Sequence, residues 1–287
     1  MFLVGTVVLH LLLTRLLPGL PLALSPRDPL DVSAWAWLGS FTLTEEWRWH
    51  LVGPPRDYFI GAVWTLCYEE QFYLLLGLAA VFARRWLFAV VGVLSLGVFL
   101  IVSDVIRLPF STDGWFFGGP WLAFAAGIAV YYRRNYATPF VRRVVDVGLF
   151  AGVVWAARSV PDWQTFAQGV PSQLTVAFAG AFVLGLLEPF DPVTARWKAL
   201  GPLRWCGERC YSLYLVHGVV VYPLSKLAIQ LGVTDPLATL GLTVPAGLAS
   251  ALAVGWAFHR WVERRFLNTP STETPKPAVV EPELAAV

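Results

Sequence analysis

The sequence predicts an all-α, polytopic transmembrane helical bundle of about eight spanning helices, and three observations carry that expectation. Of 287 residues, 57% are hydrophobic and only 14% charged; soluble domains carry roughly 25% charged residues, so this chain has too little polar surface to cover itself in water. Its apolar residues form long stretches, separated by short segments that hold most of the Arg, Asp and Pro. That is the pattern of a chain for which lipid is the main solvent. Finally, the basic residues alternate in density from one intervening segment to the next.

A spanning helix needs about 20 mainly apolar residues. The candidate stretches are 1–20, 63–83, 86–103, 116–132, 144–160, 172–188, 210–231 and 237–259. Gly118-Gly119-Pro120 interrupts the start of the fourth; Pro is favoured in a first helical turn, so that helix is expected to begin at Pro120 and run to Tyr132. Arg84, Arg85, Arg133, Arg134, Arg142, Arg143, Arg196, Lys198, Arg204, Arg209, Arg260, Arg264 and Arg265 fall between alternate pairs of stretches, whereas the other segments hold only Arg27, Arg48, Arg56, Arg107 and Arg158. Thirteen against five satisfies the positive-inside rule for eight spans in a cell (inner) membrane and places both termini in the cytoplasm.

Residues 1–267 are expected to form the transmembrane domain, and the Pro- and Glu-rich segment 268–287 a disordered cytoplasmic tail. Residues 1–20 lack the basic lead of a signal peptide. The long outer segment 21–62 contains Trp35, Trp37, Trp47, Trp49 and Tyr58 and reads as a Trp-rich flap on the membrane interface, its tryptophans anchoring at headgroup level. A net charge of +2 gives no field for nucleic acid. Cys67, Cys206 and Cys210 are too few for a disulfide framework. Cys206 and Cys210, four apart, are placed to share a helix face, but two thiols without further ligands make a poor zinc site; helix packing is the expected role, and no metal site is expected.

Ionisable groups at membrane depth are costly, so each is a candidate functional residue. WTLCYEEQFYL at 64–74 opens the second stretch. Neighbouring helical residues point about 100° apart, so Glu69 shares a face with Trp64, Thr65, Phe72 and Tyr73, and Glu70 shares one with Leu66 and Leu74. An interfacial position in the headgroups is the alternative for both carboxylates. A second cluster, Tyr211, Ser212, Tyr214 and His217, opens the seventh stretch; Tyr214 and His217 are i and i+3, with Tyr211 a turn earlier. An imidazole changes charge near neutrality, which suits proton transfer, while a hydrogen-bonded structural histidine is the competing reading. His10 has only Thr6 and Thr14 as polar neighbours on its face and is read as structural.

WTLCYEEQFYL (64–74), GERCYSLYLVH (207–217), PWLAFAAGIAVYY (120–132) and the terminal VERRF (262–266) together resemble the membrane acyltransferase-3 family, bacterial enzymes that O-acylate cell-surface sugars. The resemblance covers roughly 60–267. It implies a membrane O-acyltransferase that moves an acyl group, expected to be acetyl, from acyl-CoA as co-substrate, with no bound cofactor, to a hydroxyl of a carbohydrate or lipid-linked acceptor. His217 and Glu69 would be catalytic, and Trp64, Tyr73, Tyr211, Ser212 and Tyr214 would contact substrate. The family's usual front carries an Arg or Lys followed about ten residues later by the histidine to which catalysis is assigned. No Arg or Lys precedes His10, so that role is not carried over to it, and an amino-terminally truncated member is expected. Two other readings compete: an inactive remnant or partner subunit, and a transporter using Glu69 and His217 as a proton relay.

Overall fold

The computed structural model describes residues 2–16, 24, 28–53, 56, 58–61, 63–159 and 170–267. Every regular element among them is helical. The principal helices are α1 (Phe2–Leu16), α2 (Ala34–Phe41), α3 (Glu45–Val52), α4 (Val63–Phe82), α5 (Leu87–Val102), α6 (Pro120–Asn135), α7 (Pro139–Arg158), α8 (Val170–Leu187), α9 (Cys210–Gln230) and α10 (Val244–Trp261). Each of the eight predicted stretches thus contains a helix. Among the described residues, four segments are both long and apolar enough to cross a bilayer: Arg84–Val102, Gln173–Thr194, Cys210–Gln230 and Pro236–Arg265. The others depart from that standard for local reasons. Glu69, Glu70 and Gln71 lower the apolarity of α4, α1 and α6 are short, and α7 carries Arg142, Arg143 and Asp146 in its first turns.

Local chemistry sets the helix boundaries. Ser33 caps α2 by accepting the Ala36 amide at 3.1 Å, and Thr138 caps α7 ahead of Pro139. As predicted, α6 begins at Pro120; Gly119 precedes it with φ +126°, a conformation only glycine adopts readily. The α7 helix starts five residues before the predicted 144, because the Thr-Pro pair at 138–139 supplies both a cap and a preset first turn. Cys206 closes a short helix, Gly201–Gly207, and Cys210 opens α9, so the two thiols share no helix face. The predicted tail 268–287 lies outside the described residues.

The chain divides into two compact units, and the division falls after Leu66, inside α4. The unit formed by Cys67–Arg196 has a core of Phe72, Val91, Val98, Trp121, Leu122, Ala156 and Leu174. Fully buried Trp121 donates its indole N–H to Ser95 at 3.0 Å, as an aromatic with a polar handle requires. Gly152 lets α7 close on α8, for a Cβ there would stand 2.9 Å from the Phe178 ring. Gln71 of α4 works as a surrogate peptide group: its amide donates to the Gly114 carbonyl at 2.9 Å and accepts from the Phe116 N–H at 2.9 Å, while the Tyr68 hydroxyl accepts from the Gly114 N–H at 3.1 Å. Arg133 binds Asp146 through two nitrogens, at 2.6 and 3.1 Å, and also binds Glu188, tying α6, α7 and the end of α8 together.

The other unit combines residues up to Leu66 with the segment from Trp197. Here α9 and α10 pack as a helical hairpin. Gly247, Ala251, Gly255 and His259 are all buried on α10 and, four apart, line one face. At Gly255 an added Cβ would stand 2.3 Å from Leu213 Cδ2, so the glycine permits the backbones to approach in the manner of small-residue interfaces in membranes. Before α10, residues Thr239–Thr243 form a π-helical turn.

The described residues of segment 21–62 form more than an aromatic flap. In α3, Glu45 is fully buried and held by Arg48 through two bonds of 2.7 and 2.9 Å. Glu46 receives Arg56 at 2.8 Å and the Tyr58 hydroxyl at 2.5 Å. Gly39 of α2 leaves room for the Glu45 carboxylate, which a Cβ would strike at 2.0 Å. Trp37 packs on Phe41 and Phe59, while Trp35 is exposed as an interfacial anchor would be.

Candidate functional site

The first turns of α9 carry the polar stripe that the sequence singles out, and two of its members are bonded to distant parts of the first-described motifs. The Tyr214 hydroxyl is hydrogen-bonded to the Thr65 hydroxyl at the start of α4. This bond joins GERCYSLYLVH to WTLCYEEQFYL across 149 positions. Ser212, fully buried, donates to Glu263, and the same carboxylate oxygen receives His259 Nδ1 at 2.9 Å. That arrangement joins the second motif to VERRF.

His217 is exposed, and its Nδ1 lies 2.5 Å from the Tyr214 carbonyl. A carbonyl only accepts, so Nδ1 carries the hydrogen and, in the neutral ring, Nε2 keeps its lone pair. The His217 and Tyr214 rings stand 5.6 Å apart. His10 is set the opposite way. It is 3% exposed, its Nδ1 accepts the Leu24 amide at 3.2 Å, and its ring meets Phe59 edge-on at 5.2 Å. The proton of neutral His10 therefore sits on Nε2, leaving no second lone pair to act as a base.

The remaining sequence candidates are distributed differently. Trp64 is half-buried on the first turn of α4, and Tyr211 is 48% exposed. Glu69 and Tyr73 belong to the other unit, with Glu69 half-buried and Tyr73 62% exposed. The Tyr214–His217 pair is thus the part of the predicted stripe that the structure brings into mutual contact, with Thr65 added to it. Sequence reading missed Glu263 as the partner shared by Ser212 and His259, although His-x3-Glu at i and i+4 is a readable helical pairing. It also missed the anchoring role of Gln71 and Tyr68, because both were absorbed into a motif whose carboxylates drew the attention.

Among the described residues, no three His, Cys, Asp or Glu side chains come together as a metal site. Several arginines on the densely basic side are engaged by nearby carboxylates: Arg133 by Asp146 and Glu188, Arg134 by Asp191 and Arg209 by Glu208. Arg143 is exposed.

The apolar helices and the buried polar clusters between them define an all-helical integral membrane protein. The chain belongs to the acyltransferase-3 family, whose model, described as an acyltransferase domain, matches residues 4–260. It is similar to the O-acetyltransferase OatA of Staphylococcus aureus, 24% identical over 213 residues that cover 64% of this chain and 34% of that protein. It is also similar to the exopolysaccharide production protein ExoZ of Rhizobium meliloti, 26% identical over 227 residues, covering 71% of this chain and 61% of the relative. The chain therefore spans about a third of the former and three fifths of the latter. No solved structure matches it.

Proposed function

We propose that the chain is a membrane O-acyltransferase that moves an acyl group, acetyl in the simplest case, from acyl-CoA to a hydroxyl of a surface carbohydrate or lipid-linked acceptor. Family membership and the names of the relatives, an O-acetyltransferase and an exopolysaccharide production protein, support the reaction class. One observation carries the assignment of the base: the Tyr214 carbonyl holds His217 Nδ1 and so presents Nε2 with a lone pair on an exposed ring. In this reading Nε2 takes the proton of the attacking hydroxyl, the oxygen bonds to the thioester carbonyl carbon, and the carbon–sulfur bond breaks. The proton then passes to the departing thiolate, so His217 ends as it began.

Tyr214 and Tyr211 supply hydroxyl donors for the developing oxyanion. Trp64 is assigned to the acceptor, by contact with a sugar face. Ser212, with no exposed surface and its hydroxyl bonded to Glu263, acts by holding the start of α9 in place. The protein is placed in the cell membrane with both termini cytoplasmic, on the strength of the thirteen-to-five basic asymmetry, and exposed Arg143 is available to the phosphates of CoA.

The test is His217→Ala, measured by transfer of labelled acetyl groups from acetyl-CoA in membranes at matched protein level. Loss of transfer with unchanged membrane level is expected. Wild-type transfer by the variant would assign His217 to packing and remove the base from this scheme.

A further inference from the structure

The outward end of α7 carries an apolar groove that ends in a cation. It is a widely open depression of about 500 Å³, lined among the described residues by Phe150, Ala151, Val154, Trp155, Arg158 and Ser159. These residues recur at i, i+1, i+4 and i+5 and so form one stripe along the helix. From Phe150 to Ser159 the stripe rises about 13 Å at roughly 1.5 Å per residue, close to the ~15 Å of hydrocarbon in one leaflet. The lower wall is wholly apolar, while the upper end offers a guanidinium and a hydroxyl.

Among the described residues the cation is not committed elsewhere. Among the described residues of the sparsely basic side, Arg48 is held by Glu45, Arg56 by Glu46 and Arg107 by Asp104. Arg158 is exposed and has no carboxylate within ion-pair distance among the described residues. It adds nothing to the positive-inside asymmetry either, since it lies on the minority side of that count.

We propose that this groove is a binding site for one anionic phospholipid of the bilayer, with an acyl chain along Phe150, Val154 and Trp155 and the headgroup phosphate on Arg158. A leaflet-length apolar wall topped by one unpaired guanidinium matches an anionic lipid better than a zwitterionic one, whose own ammonium would oppose the charge. The ordinary lipid annulus makes no such distinction. The described lining lies on α7, and the site does not depend on the acyl-transfer reading.

The full chain is reconstituted in phosphatidylcholine vesicles containing a trace of either phosphatidylglycerol or phosphatidylcholine with a photoactivatable acyl chain, and the labelled peptides are mapped. Phosphatidylglycerol is expected to label the 150–159 region about fivefold more than phosphatidylcholine, the size of preference one basic residue near an anionic headgroup supplies. Arg158→Gln should reduce that ratio to one, Arg158→Lys should retain most of it, and labelling of α5 and α9 in all variants should stay as in the wild type. Ala151→Trp, which fills the groove but keeps the arginine, should bring phosphatidylglycerol labelling of the region down to the phosphatidylcholine level. Equal labelling by the two lipids in the wild type, or a preference that survives Arg158→Gln, would overturn the proposal. So would an undiminished preference in Ala151→Trp.

Discussion

Ser212 and Glu263 lie 51 positions apart and are joined by a hydrogen bond that the carboxylate shares with His259. A single acid thereby pins the beginning of α9 to the end of α10. Glu263→Ala should cost more than Ser212→Ala, since it strips the partner from two groups at once. Removing the serine alone should cost about 1–2 kcal/mol, a hydrogen bond to a charged group tempered by the modest values found in membranes. Thermal unfolding in detergent of both single variants and the double variant measures the coupling. Additive losses would mean that the two side chains do not interact.

The bond between Thr65 and Tyr214 predicts a divided outcome. Tyr214→Phe removes the hydroxyl but keeps the ring beside His217, so the protein should remain folded while acyl transfer falls by about a hundred- to a thousandfold, the range of a lost oxyanion donor. Thr65→Val should lower transfer less, because the tyrosine hydroxyl survives. Initial rates at saturating acetyl-CoA distinguish the two.

In the outer segment, Glu45→Ala would leave Arg48 buried without its partner. Breaking a buried pair in this way costs about 3–5 kcal/mol, enough to lower the yield of folded protein sharply. The pair should tolerate alkali. Its bidentate bond to Glu45 raises the Arg48 guanidinium above its ordinary value, and a raised cation contributes stability at every pH below that ordinary value, lost only as pH climbs through the raised one. Limited proteolysis between Ala34 and Val52, in Glu45→Ala against wild type across pH 7 to about 10, checks both statements.

Gln71 should prove more sensitive than an ordinary polar residue on an apolar helix. Gln71→Glu keeps the size but places a carboxylate against the Gly114 carbonyl and loses the donor, whereas Gln71→Leu leaves both backbone groups unpaired. Either change should cost about 1–3 kcal/mol. Gln71→Glu keeps an acceptor for the Phe116 amide and Gln71→Leu does not, so Gln71→Leu should also speed hydrogen exchange at that amide, which donates to the Gln71 side-chain oxygen. Exchange at unchanged rate would show that the amide is protected by something else.

The helices were legible because hydropathy and capping are local. Pro120 and the basic asymmetry each read directly from short stretches of chain; the Thr138-Pro139 start is just as local but was passed over, because hydropathy alone set that bound at 144. Pairings such as Ser212 with Glu263 and Tyr214 with Thr65 are not local; a sequence states which polar residues are present but not which distant one each will meet. The buried Glu45–Arg48 and Glu46–Arg56 pairs were overlooked for a different reason. Their segment is rich in tryptophan and lies between spans, so it read as an interfacial flap and its charges drew no attention. Only the tertiary fold of α2 over α3, made possible at Gly39, takes them out of water. Likewise the opposed proton positions of His10 and His217 follow from one backbone amide and one backbone carbonyl, neither of which carries a sequence signal.

The π-helical turn at Thr239–Thr243 holds one residue more than a regular helix would use over the same rise. Deleting any one of those five residues would restore ordinary winding and rotate one side against the other by about 100°. The later side is locked into α9 by the Gly255–Leu213 contact, so the rotation would fall on the short connection behind it. The loop joining the two helices is therefore tuned in phase as well as in length, and insertions there should be tolerated in whole turns rather than residue by residue.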